Sequence, residues 1–137
     1  MKKAYPAKIL LAWGEAIAGN KPIREWLMKN GYPELGLFVF ALNNKDDARK
    51  WLMDNGFPHL MALINGVEGN PGALEWLNKY GFDILFYVAK SGDGDEESYK
   101  KLLAAGHREF ALISLKIRFV KDEIERKNSD IHSISPE

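Results

Sequence analysis

Residues 25–32 read Glu-Trp-Leu-Met-Lys-Asn-Gly-Tyr, and the phrase returns as Lys-Trp-Leu-Met-Asp-Asn-Gly-Phe at 50–57 and Glu-Trp-Leu-Asn-Lys-Tyr-Gly-Phe at 75–82. A fainter copy, Lys-Lys-Leu-Leu-Ala-Ala-Gly-His, fills 100–107. The glycines fall at 31, 56, 81 and 106, a fixed interval of 25 residues. Self-similarity at such a period is the signature of stacked repeats, each too small to bury its apolar face alone.

Working outward, the register holds between the phrases. One column reads Leu10, Leu35, Leu60, Leu85, Phe110. Three residues on comes Trp13, Phe38, Leu63, Val88, Ile113, and four further on Ile17, Leu42, Val67, Gly92, Ile117. Spacings of three and four put these columns on one face of a helix. A small-residue column, Ala16, Ala41, Gly66 and Ser91, would let neighbouring helices approach closely. The second helix of each unit starts at Asn20-Lys-Pro, Asn44-Lys-Asp-Asp, Asn70-Pro or Asp95-Glu-Glu. Each offers a capping side chain followed by proline or acid. Its stripe is Ile23/Ala48/Ala73/Ser98, Trp26/Trp51/Trp76/Lys101 and the leucines 27, 52, 77 and 102. The periodic glycine then supplies a left-handed residue past the helix end. The tryptophans are expected in the core, packed between neighbouring second helices, with a ladder lining a binding groove as the alternative.

The expected fold is therefore all-α, a right-handed α/α superhelical solenoid of four helix-pair repeats. First helices start near 7, 34, 59, 84 and 108, and second helices near 22, 46, 71 and 96. The last first helix continues through Phe110, Ile113, Ile117, Val120 and Ile124 to about 127. Its charged face, with Lys116, Arg118 and Lys121, suits a terminal cap. Residues 1–127 form one domain, and 128–137 a flexible tail. The unit resembles a shortened ankyrin repeat: residues 84–107 pass from a helix ending in small residues through a glycine loop to Leu-Leu-Ala-Ala-Gly. The likeness implies packing positions and no active site. The Thr-Pro-Leu-His start is missing, and the period falls short of about 33 by roughly one β-hairpin finger.

Composition narrows the function. Lys+Arg and Asp+Glu are equal at 19 each, so there is no general pull towards nucleic acid. No cysteine is present, which fits a cytoplasmic protein. The Met1-Lys-Lys start followed by Ile9–Ala12 imitates a leader peptide, but Lys8 and Glu15 bracket the apolar run and the segment fits the repeat. No run reaches the ~20 apolar residues of a membrane span.

Catalytic signals are absent. Asp93-Gly-Asp-Glu-Glu begins like a calcium loop, but Ser98 and Ala104 stand where that loop needs glycine and glutamate. The histidines 59, 107 and 132 form no ligand pair, and no serine sits in a Gly-x-Ser-x-Gly elbow. No cofactor and no metal is expected. The function expected is a non-catalytic scaffold binding a protein or peptide, with a nucleic-acid-binding repeat as the alternative. The column Ile9, Glu34, His59, Ile84, Glu109 varies freely outside the packing stripe. Glu34, His59 and Glu109, with Arg118 on the last helix, are the candidate partner-binding residues.

Overall fold

A computed structural model describes residues 4–134, with side chains described through residue 129. Among these residues lie nine helices and no strand. They are α1 (Ala7–Ile17), α2 (Lys21–Lys29), α3 (Pro33–Leu42), α4 (Asp46–Asp54), α5 (Pro58–Val67), α6 (Pro71–Lys79), α7 (Asp83–Gly92), α8 (Glu96–Ala104) and α9 (Arg108–Ile134). Their starts match the sequence register to within a residue. The last helix runs past 127, where its apolar stripe ends; residues 135–137 lie outside the described part of the expected tail.

One turn chemistry closes the helices. After α2, α4, α6 and α8 the glycines 31, 56, 81 and 106 take φ of +96°, +87°, +81° and +84°. The next residue donates its amide back to the buried leucine: Tyr32 to Leu27 at 3.0 Å, and Phe57, Phe82 and His107 to Leu52, Leu77 and Leu102 at 2.8 Å. This is the Schellman bond, which satisfies a carbonyl that the helix itself leaves open. The other loops repeat it. Gly19, Gly69 and Gly94 are left-handed, and Asn44 takes their place at φ 68°. Asn20, Lys45, Asn70 and Asp95 then donate to Glu15, Phe40, Asn65 and Lys90 at 3.0 Å each. Asparagine is the side chain that tolerates this conformation best after glycine.

The N-termini are less uniform. Asn20 and Asn70 accept from the amides of Ile23 and Ala73 at 3.1 and 3.0 Å, worth about 1 kcal/mol each. Asn44 does not cap α4, contrary to expectation. The N-cap is Lys45, with no side-chain bond, because Asn44 is spent on the left-handed turn. Asp46 and Asp47 serve the positive end of the helix instead.

The two helix sets bury very different arcs. Each odd-numbered helix packs on the next, and α1 also packs on α9. The odd helices thus close on one another, and the middle ones, α3 and α5, are covered almost all round. In α3, Glu34, Leu35, Gly36, Phe38, Val39, Ala41 and Leu42 are all buried. The closing seam uses small residues and a polar tie. Gly14 of α1 faces Ile113 and Lys116, and Lys116 Nζ reaches Glu15 at 2.9 Å. Gly92 of α7 sits against Val67 and Ile117, where an added Cβ would lie 3.2–3.3 Å from both. Ser114 donates to the Ala111 carbonyl, so the buried Ser91 hydroxyl donates to Ser114 at 2.7 Å.

The even helices touch the rest along a narrow line, which takes Trp26 out of the core and leaves Trp51 and Trp76 packed against its edge. Leu27, Leu52, Leu77 and Leu102 are buried to 1% exposure or less. Trp26, one position earlier, is 48% exposed, and Trp51 and Trp76 are half-buried. One residue turns the side chain by about 100°, enough to leave so thin a stripe. Trp51 and Trp76 instead lie flat on the aromatics after the turn: Trp51 on Phe57 at 5.9 Å and Trp76 on Phe82 at 5.7 Å.

Gly56→Val isolates the turn, because a Cβ there meets nothing within 4 Å. Only backbone strain is added, expected to cost roughly 1–3 kcal/mol. Chemical denaturation of variant and parent checks it; equal midpoints would remove the turn from the stability of the fold.

Candidate binding cavity

A cavity of about 560 Å³ opens where the N-terminal ends of the odd helices gather. Tyr5, before α1, and Trp13 of α1 form one wall. Tyr80, Phe82, Asp83 and Leu85 bring in the α6–α7 turn and α7, while Leu60 and Phe110 come from α5 and α9. The lining is rich in aromatic faces and holds one carboxylate, Asp83, which is exposed. Among the described residues that line it there is no lysine, arginine or histidine.

Beside the cavity sits a polar group made by the repeat register. Glu34 and His59 occupy the same place in successive units, the second residue of α3 and of α5. Both were expected on the outer surface. They are buried, at 1% and 3% exposure, since the odd helices are packed on both flanks and the column next to the apolar stripe points inward. Tyr5 donates its hydroxyl to Glu34 Oε2 at 2.6 Å. Burial, then the hydrogen bond to the Glu34 carboxylate, hold the Tyr5 phenol well above its ordinary value. His59 lies flat against Phe82, with ring centres 5.1 Å apart and planes 4° apart. It also tilts against Phe57 at 5.9 Å. A run of rings thus passes from Trp51 through Phe57, His59 and Phe82 to Trp76.

Burial pushes His59 down to about 4, against the opposing pull of the Glu34 charge. The ring is therefore neutral at pH 7. Its Nε2 and the Nε1 of Trp13 are buried without a hydrogen-bond partner among the described residues. An unsatisfied buried donor such as the indole N–H costs about 1–3 kcal/mol.

The other two candidates lie elsewhere. Glu109 is half-buried in a cleft with Leu11, Tyr99, Leu103 and Leu112. Arg118 is exposed on α9, lining a groove with Tyr99, Leu103 and Leu115. The structure therefore brings Glu34 and His59 together and separates Glu109 and Arg118 from them. Tyr5, Trp13 and Asp83 were missed as a site. Tyr5 precedes the first unit, and Trp13 and Asp83 read as core and helix start. No group of three metal-ligating side chains occurs among the described residues; the side chain of His132 lies outside them. No described helix is long and apolar enough to cross a membrane. Comparison with known proteins finds no matching family model, no matching curated protein and no matching solved structure.

His59 predicts an acid dependence of stability. Its folded value of about 4 lies below the ordinary 6.5. Between those values the unfolded chain binds a proton that the folded chain refuses. The contribution is intact above pH 6.5 and is lost as the pH falls towards 4. His59→Phe should retain the ring stack and lose less stability than the parent between pH 7 and pH 5. Denaturant titrations at the two pH values measure this, and parallel losses would mean that His59 is solvated.

Proposed function

We propose that the chain is a non-catalytic helical-repeat module that binds a protein or peptide segment by taking one lysine or arginine side chain into the cavity. The observation that carries this reading is the lining: Tyr5, Trp13, Tyr80, Phe82 and Phe110 around a pocket whose charged member is Asp83. Aromatic faces attract a cation through their quadrupole, by about 0.5–2 kcal/mol. The rings also match the alkyl stem of a lysine, which buries its methylenes and keeps its charge near the rim. Asp83 is exposed, and the buried Glu34 carboxylate is held by Tyr5, one of the lining residues.

Several features favour binding over chemistry. The Tyr5 hydroxyl is committed to Glu34, and His59 is held neutral between aromatic rings. Among the described lining residues there is no serine, threonine, cysteine or lysine. On this reading the helix pairs form a short right-handed superhelical solenoid whose two ends meet. The cytoplasm is the compartment that suits the cysteine-free chain.

Fluorescence anisotropy with short labelled peptides tests the proposal. Peptides with a central lysine or arginine should bind ~3–30-fold more tightly than the same peptides with norleucine. Asp83→Asn should reduce that preference and leave the fold intact, since Asp83 is exposed. Equal binding of the lysine and norleucine peptides, or no binding of either, would sink the reading. Preference for oligonucleotides, weakening steeply with salt, would replace it with nucleic-acid binding.

A further inference from the structure

We propose that the chain forms a twofold-symmetric dimer in which α9 lies antiparallel to α9 of a second copy. The starting observation is a line of exposed residues along the outer side of α9: Arg108, Leu112, Leu115, Phe119, Asp122 and Arg126. Their spacing alternates four and three, the pattern that keeps one stripe of a helix facing a partner helix. Leu112, Leu115 and Phe119 are 39%, 40% and 59% exposed. The stripe widens on both sides, through Leu103 of α8 and Leu11 of α1, which are themselves exposed.

The charges name the occupant. Arg108 stands seven residues before Leu115 and Asp122 seven after it. In an antiparallel pair with the axis at Leu115, each Arg108 meets Asp122 of the other copy. The two Leu115 side chains meet on the axis, and Leu112, three residues before it, lies between Arg118 and Phe119 of the other copy, three and four residues after it. A parallel pair would set Arg108 against Arg108 and Asp122 against Asp122, which like-charge repulsion disfavours. The stripe is thus complementary to itself in one orientation, which is what a twofold contact requires. Among the described residues of one chain, Asp122 has the distant exposed contact with Arg118, at 4.0 Å, to give up. Phe110, which lines the cavity, is two residues before Leu112 and so lies round the far side of α9. The dimer therefore stands independently of the ligand proposed for the cavity.

Sedimentation equilibrium of the full chain should give a dimer. Arg108→Asp or Asp122→Arg alone should raise the dissociation constant at least ~10-fold, and the two together should restore it. The chain has no native cysteine, so Leu115→Cys should cross-link to itself under mild oxidation, while Lys50→Cys on exposed α4 should not. Circular dichroism melts of each variant establish that it is folded. A parent that sediments as a monomer at high protein concentration would overturn the proposal. So would a double charge variant no better than the single ones, or equal cross-linking at both cysteines.

Discussion

The amide that reaches back five residues across a left-handed turn is the bond on which this architecture rests. It ends eight helices in succession, from Asn20 onto Glu15 to His107 onto Leu102. Every helix before α9 has only about nine to eleven residues, marginal in isolation. Such helices persist because tertiary packing holds them, and that packing needs each to stop at the right residue. The turn does this. After α2, α4, α6 and α8 the residue following the glycine is also a ring, Tyr32, Phe57, Phe82 or His107, and the first three pack against the core.

Much of this could be read from the chain before any coordinates. The glycine period, the leucine column and the prolines at Pro33, Pro58 and Pro71 fixed the helix starts, because a turn residue acts locally and its consequence is local. Only half of the turns were noticed, however. Gly19, Gly69 and Gly94 also recur every 25 residues, and Asn44 hides the series by substituting for a glycine. Its φ of 68° is one that asparagine tolerates better than most side chains, so the turn keeps its form without glycine.

What the sequence concealed depends on how many neighbours each helix has. Position within a unit says which way a side chain points, but not whether another helix waits there. Glu34 and His59 point beside the apolar stripe of α3 and α5, and helices happen to lie on that side too. Trp26 points beside the stripe of α2, and about half of it is left to solvent. The contact of α1 with α9 joins the ends of the chain, and no local pattern announces it. The cavity is a product of that closure, since Trp13 and Phe110 reach it from opposite ends of the sequence.

The meeting of α1 and α9 also bears on how such a chain can change its length over evolutionary time. An open array gains or loses a unit by duplication or deletion, and each neighbour finds an equivalent surface to pack on. Here the Gly14 and Lys116 contacts fit one spacing between the first and last inner helices. An added unit would push that pair apart and expose both of its apolar faces. The same contacts that form the core therefore set the spacing of α1 and α9, the two helices that an added unit would separate.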